Sequence, residues 1–309
     1  MTEPTASRPP FEISVSLLNF STTAPGRAWS ALIDQARVAD AAGVDRLIVV
    51  DHVVMGEHIE AYDGGPFPTP PGGDWLEPLT TLSVIAGATS RIRLSTGILI
   101  AALRPPAVLA KTAATLDVLS GGRLDLGVGV GWQREEYEAV GLDFAERGDL
   151  LDENLRVCRA LWAGGPVDWE SPRLSFSGTW CHPTPLQPGG IPIWVSGRTN
   201  PRTLRRIVEL GAGWIPWAEQ RDDVADGVRE IRAALAAAGR DPDAFGVRGR
   251  LPVVAGADGR PDVAATMRAV PGLVAAGVTD FQLGVALSTD GDAPQQLAEL
   301  VGGFRSAVM

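Results

Sequence analysis

Residues 91–132 read RIRLSTGILIAALRPPAVLAKTAATLDVLSGGRLDLGVGVGW, and this stretch decides the fold. Ile92, Leu94, Ile98 and Leu99 make a β-rich run interrupted by Thr96-Gly97. Pro105-Pro106 opens a helix in which Val108, Leu109, Ala113, Leu116 and Leu119 recur at helical spacing. Gly121-Gly122 stops that helix as a glycine C-cap does. Leu124 to Val130 is a second strand, with Gly127, Gly129 and Gly131 on alternate positions. Glycine weakens a strand, so three at period two mean one of two things. Either something flat approaches the backbone on that face, or the surrounding interior packs unusually close.

The same strand–helix rhythm continues on both sides. Upstream lie strand-like Phe11 to Phe20, helical Trp29 to Ala42, a short buried strand from Arg46 to Asp51, and a helix from Pro78 to Thr89. Downstream, Leu150 to Ala163 is helical, Ile191 to Ser196 a strand, Pro201 to Leu210 a helix and Trp214 to Trp217 a strand. Asp223 to Ala238, Asp262 to Ala276 and Pro294 to Ala307 read as helices around strands Val247 to Val254 and Phe281 to Val285. The short apolar strands (LIVV, IPIWV) imply burial on both faces, as in a parallel sheet. Eight such units predict an α/β fold, a (β/α)₈ TIM barrel, rather than a six-stranded doubly wound sheet. No linker divides the chain, so residues 11–309 are expected to form one domain after a loose leader over residues 1–10.

Two connections exceed plain barrel loops, giving insertions after the second strand and before the fifth. Val53 to Glu77 contains GGPFPTPPGGD and follows a strand, which places it at the C-terminal mouth where barrel active sites lie. Gly164 to Gly190 carries Trp169, Phe176 and Trp180 and suggests a small hairpin cover.

Composition narrows the function. The net charge of −10 repels polyanions, so neither nucleic acid nor an acidic membrane surface is an expected partner. No apolar run approaches the ~20 residues of a membrane span. The first ten residues lack the apolar core of an export signal, and Cys158 and Cys181 are too few for a disulfide framework. Both features fit a cytoplasmic protein acting on a small molecule. His52 and His58 stand six apart with no HxH or HExxH pattern, so no metal site is expected.

Asp51-His52 ends the second strand and faces the barrel mouth. Histidine exchanges a proton near neutral pH, and a neighbouring carboxylate can set its tautomer. The competing reading is a helix cap beside a satisfied histidine. After the fifth strand, Ser196-Gly197-Arg198-Thr199-Asn200-Pro201 starts a helix with a capping asparagine and a first-turn proline. Such a helix start binds phosphate through unpaired N–H groups and its dipole. Arg198, Arg202, Arg205 and Arg206 gather there, as a solvated helix face or as the seat of an anionic cofactor tail. Glu135 and Glu136 could act as acids at the mouth, but the helix dipole alone accounts for carboxylates in a first turn.

With DRLIVVDH, then residues 89–141, then PIWVSGRTNPRTLRRIVELGAGWIPW, the chain resembles the luciferase-like monooxygenase superfamily, and within it the coenzyme F420-dependent oxidoreductases. The resemblance covers residues 11–217 well and the last third only in rhythm. It implies a barrel that binds a flavin or deazaflavin at its mouth, and a homodimer. It also implies a non-proline cis peptide at Gly97-Ile98 behind the cofactor ring, with Gly127 and Gly129 giving clearance. The phosphate-binding segment falls on Ser196, Gly197, Arg198 and Thr199. Asp51 and His52 match the pair beside the reactive ring carbon, His52 handling a proton and Asp51 orienting it. The reaction implied is hydride transfer between coenzyme F420 and an apolar small molecule lined by Trp132, Trp75 and Trp217, with Trp180 also at the mouth. An FMN-dependent monooxygenase is the alternative, and a catalytically inactive barrel another. Trp132 departs from the family's sugar-phosphate dehydrogenases, which place an acidic residue there.

Overall fold

Strand β1 (Glu12–Ser16) alternates Glu12, Ser14 and Ser16 with Ile13 and Val15, so its two faces differ in polarity. In the computed structural model, which describes residues 10–21 and 29–309, eight parallel strands close on themselves. The others are β2 (Arg46–Val49), β3 (Arg93–Thr96), β4 (Leu124–Val128), β7 (Ile193–Ser196), β8 (Gly213–Ile215), β9 (Gly246–Leu251) and β10 (Asp280–Leu283). The order around the barrel is β1-β10-β9-β8-β7-β4-β3-β2. The remaining pair, β5 (Val167–Glu170) and β6 (Ser175–Thr179), forms a separate antiparallel hairpin. The leader expected at residues 1–10 lies outside the described residues except for Pro10.

The helices are α1 (Ser30–Ala41), α2 (Pro78–Ala88), α3 (Pro106–Leu119), α4 (Arg134–Ala139), α5 (Arg147–Trp162), α6 (Pro201–Leu210) and α7 (Ala225–Ala237), then α8 (Val263–Met267), α9 (Val270–Ala275) and α10 (Ala293–Ala307). The single helix expected over 262–276 is two, because Pro271 at the first turn of α9 has no N–H to continue the ladder of α8. Gly121 and Gly122 both adopt positive φ and close α3. No helix among the described residues is long and apolar enough to cross a membrane.

The strands are less uniformly apolar than expected. Ile13, Val15, Leu47, Leu94 and Leu126 join the apolar core. The alternate positions carry charge that meets across the barrel's interior. Arg46 on β2 is fully buried and contacts Glu12 on β1 (2.5 Å), Asp125 on β4 (3.1 Å) and Asp280 on β10 (2.8 Å). Neither β4 nor β10 is hydrogen-bonded to β2, so these contacts can form only through the interior. Arg248 pairs with Asp280 at 2.8 Å and Arg93 with Asp125 at 2.6 Å, giving three arginines to three carboxylates. Arg46 and Arg248 lie over the Trp194 ring at 4.7 and 5.4 Å. Burial opposes the charge on Arg46, but Asp280, Asp125 and Glu12 outweigh it and raise its pKa.

Candidate active site

The site begins where β2 runs out. Buried Asn19 clamps this end through both its amide groups, accepting Val50 N–H at 3.0 Å and donating to the carbonyls of Val50 and Leu76 at 2.7 Å each. The next two residues, just past the end of β2, take different partners. Asp51 turns toward the segment after β3: its carboxylate accepts Ile100 N–H at 2.8 Å and takes the Arg104 guanidinium in a two-pronged contact at 2.7 and 3.0 Å. His52 turns toward α4. Its Nδ1 lies 3.1 Å from Glu136 Oε2, and Glu136 Oε1 accepts Val53 N–H at 2.8 Å.

This corrects the expected pairing. Asp51 is held by Arg104 and Ile100, so it does not orient His52; Glu136, fully buried in the first turn of α4, does. A carboxylate that only complements a helix dipole stays at the surface, whereas Glu136 has both oxygens engaged inside. With Nδ1–H directed at Glu136, Nε2 is the nitrogen left without a partner among the described residues, on a ring that lines the main cavity.

That cavity holds about 370 Å³ at the C-terminal mouth. Its floor includes Gly97, Ile98 and Gly129, and the Gly97-Ile98 peptide is cis. Its walls are aromatic. Trp75 stacks on Phe20 (centroids 4.5 Å apart), His52 meets Trp75 edge-on at 4.6 Å, and Trp132 takes the edges of Phe67 (5.3 Å) and Tyr62 (5.4 Å). Burial raises the pKa of the Tyr62 hydroxyl, against the pull of Arg221.

A second cavity of about 530 Å³ adjoins the first, sharing Val130, Gly131, Trp132, Ser196, Gly197 and Trp217 as wall. Arg147, Arg198, Arg202 and Arg206 line it. Three of them already face carboxylates: Arg198 faces Asp63 and Glu219, Arg202 faces Asp149 and Asp152, and Arg206 faces Asp152. The helix start after β7 is also more self-satisfied than expected. Asn200 accepts the N–H groups of Arg202 and Thr203 at 3.0 Å each, and Thr199 N–H goes to Gln220 at 2.8 Å. The donors that face this cavity are therefore guanidinium groups more than backbone N–H groups.

The sequence-derived residues divide accordingly. His52, Asp51, Gly97, Ile98, Gly129 and Trp75 line the main cavity, and Trp132, Trp217, Ser196 and Gly197 line both. Arg198 lines only the second, and Thr199 sits behind it on Gln220. Gly127 lies below the floor: a β-carbon there would stand 2.0 Å from the Thr96 carbonyl oxygen, so its glycine serves strand packing. Trp180 is largely exposed and stacks on His182, away from both cavities. Hairpin β5–β6 rests against α5, with Trp169 bonded to Glu153, because a connection from helix to strand emerges at the opposite end from the mouth. It does not cover the site. Sequence reasoning passed over Arg104, Asp63, Tyr62, Phe67 and Arg147; the aromatic residues had a signal in the proline-rich loop that carries them.

The sequence profile of the luciferase-like monooxygenase family matches residues 11–293. A phthiodiolone/phenolphthiodiolone dimycocerosates ketoreductase of Mycobacterium tuberculosis is 37% identical over 170 residues, 54% of this chain and 44% of that protein. The chain spans about half the length of the curated relatives it matches. Among solved structures, monooxygenase RslO1 from Streptomyces bottropensis superposes with a TM-score of 0.77 at 20% identity, covering 96% of this chain and 100% of that one. An F420-dependent secondary alcohol dehydrogenase, solved with an F420–acetone adduct, gives 0.76 at 18% identity over 96% and 99% of the two chains. Closed barrel, mouth cavity and matched profile agree that this chain belongs to the luciferase-like monooxygenase family.

Proposed function

We propose that the chain is an oxidoreductase transferring hydride between coenzyme F420 and a small apolar molecule that bears a carbinol or a carbonyl, with His52 handling the proton. The observation that carries this reading is the His52–Glu136 pair, whose unpartnered Nε2 belongs to a ring lining an apolar cavity beside an arginine-lined one.

The residues fit such a cofactor. Two cavities with a common wall suit a ligand with a flat apolar head and an anionic tail. Gly97, Ile98 and Gly129 would lie under the head, and Ser196, Gly197 and Arg198, backed by Thr199, would face the tail side. The deazaflavin, when bound, supplies a ring carbon that gives or takes hydride. The rest is work for this chain. In the oxidative direction His52 Nε2 accepts the carbinol proton, and in the reductive direction it returns one to the oxygen. Glu136 keeps the other proton on Nδ1 and stabilises the imidazolium. Asp51 acts one step away, pinning Ile100 and Arg104 beside the pocket. Trp75, Trp132 and Trp217 favour an apolar substrate body. The resemblance to a protein named as a ketoreductase supports the alcohol–ketone couple.

FMN-dependent monooxygenation is the second reading, and one observation favours it. With Arg198, Arg202 and Arg206 already paired, Arg147 alone among the four has no carboxylate partner among the described residues, which suits a single phosphate better than a polyanionic tail. Fluorescence titration of the purified protein with F420 and with FMN separates the two. Micromolar or tighter F420 binding is expected; nanomolar FMN binding with no F420 binding sinks the first reading. Binding of neither, with His52→Ala and Arg198→Ala both silent, favours a barrel without catalysis.

A further inference from the structure

The connection between β2 and α2, residues 53–77, reaches over both cavities, and its crossing point is Asp63. Asp63 Oδ1 accepts the Trp217 indole N–H at 2.8 Å, and Oδ2 stands 3.2 Å from Arg198 Nη2. On one side of it, Tyr62 packs against Trp217 (5.6 Å) and Trp132 (5.4 Å); on the other, the Gly64 carbonyl accepts Arg221 at 2.7 Å. These contacts fasten the strap to the loop after β7 and to the segment after β8. Among the described residues lining the second cavity, Asp63 is the single carboxylate beside four arginines. Tyr62 and Phe67 of the same strap line the main cavity. Asp63 thus occupies Arg198 with the kind of oxygen an incoming anion would bring.

We propose that Asp63 is a built-in competitor for the anion cavity: an anionic group must displace it from Arg198, and its displacement unlatches the strap from the mouth of the main cavity. Asp63 thereby sets the charge selectivity of the second cavity and couples its occupancy to access to the first. The inference rests on reading the second cavity as an anion site. Two features suit Asp63 to leaving. Its side chain is 49% exposed, so a return to water costs little desolvation. Arg198 keeps Glu219 on Nε at 3.0 Å, which holds the guanidinium in place while Nη2 is freed.

Calorimetric titration with inorganic phosphate and hydrogen–deuterium exchange over residues 53–77, both on the full chain, test the proposal in wild type and Asp63→Asn. Asparagine keeps an acceptor for Trp217 and removes the charge. Phosphate is expected to bind Asp63→Asn about two- to fivefold more tightly, the size of an exposed ion pair. Exchange in the wild-type strap rises on adding phosphate, and in Asp63→Asn it is raised without phosphate. Asp63→Glu, which restores the charge, brings phosphate affinity back toward the wild-type value. Equal phosphate affinity in wild type and Asp63→Asn, or a strap that phosphate leaves unchanged, overturns the proposal and leaves the anion site standing. Failure of phosphate to bind either protein overturns the anion site itself, and the competition with it.

Discussion

Glu136→Gln isolates the proton logic of the site from its architecture. Glutamine has the same length and shape, and its carbonyl still accepts Val53 N–H. Its amide nitrogen, however, donates where the carboxylate accepted, so Nδ1 of His52 must become an acceptor and the ring proton moves to Nε2. A hydrogen bond to a charged group is worth about 1.5–3 kcal/mol, so Glu136 biases the neutral ring toward the Nδ1–H tautomer on the order of ten- to a hundredfold. The chain has only three histidines, His52, His58 and His182, which makes the tautomer readable by two-bond ¹H–¹⁵N correlation at alkaline pH. Wild type shows His52 protonated on Nδ1 and Glu136→Gln shows it protonated on Nε2, while the melting temperature changes little because both side-chain contacts persist. Under the proposed alcohol oxidation the reaction then lacks its base, and kcat/KM falls by about 10²–10³, or about 3–4 kcal/mol of barrier. An Nε2–H tautomer already present in wild type, or a glutamine variant within a few-fold of wild-type turnover, refutes the reasoning.

The barrel interior gives two more expectations. At Gly127 an added β-carbon would stand 2.0 Å from a backbone oxygen and 2.9 Å from Ile215 Cδ1, so Gly127→Ala destabilises by about 3 kcal/mol or more in urea unfolding. A loss below about 1 kcal/mol would mean that β3 and β4 can part without cost. Burial pushes the Asp280 pKa up, but Arg46 and Arg248 more than offset it and hold it below the ordinary 3.8. A depressed carboxylate stabilises the fold above its unfolded pKa and loses that contribution as pH falls through the folded value. Stability is therefore retained down to about pH 4 and declines below it. Asp280→Asn, measured in the same urea series at pH 7 and pH 3, reduces that decline and removes about 3–5 kcal/mol at neutral pH, since it strips a partner from two buried arginines. An unchanged acid slope in the variant contradicts the assignment.

The barrel was legible because short apolar strand-like runs alternate with helical patterns eight times, and the two long connections announced themselves by length and proline content. The floor residues Gly97 and Ile98 came through family resemblance, on motifs that sit at a strand end. What stayed hidden depends on contacts between distant segments. Adjacency suggested that Asp51 serves His52, yet Asp51 is taken by Ile100 and Arg104, and the partner of His52 lies 84 positions along the sequence. The first-turn position of Glu136 offered a sufficient surface explanation, so nothing in the sequence separated it from Glu135. The interior charges were hidden for a similar reason. Glu12, Arg46, Asp125, Arg248 and Asp280 each appear singly near a strand start, and only closure of the barrel shows that they neutralise one another. The arginines after β7 were visible as a cluster, but their partners on α5 and on the strap were not.

The alternate glycines of β4 and its extension carry the remaining distinction, between what supports the site and what touches a ligand. Each one faces an alternate residue of the neighbouring β3 segment: Gly127 faces the Thr96 carbonyl, Gly129 the Ile98 side chain and Gly131 the Ile100 side chain. The close approach is therefore made by the protein's own chain, and a ligand on the floor would meet Ile98 as Gly129 allows it to sit. The three positions then differ in what a methyl group would disturb. At 127 the obstacle is backbone, and relief requires the barrel to open. At 129 the nearest atom is Ile98 Cδ1 at 3.0 Å, the free end of a side chain, so relief takes the form of an altered Ile98 rotamer at the floor of the cavity. At 131 the positive φ of +69° adds backbone strain to the contact with Ile100. One glycine thus protects the fold, one sets the height of the cavity floor, and one lets the chain turn toward α4, where Glu136 waits for His52.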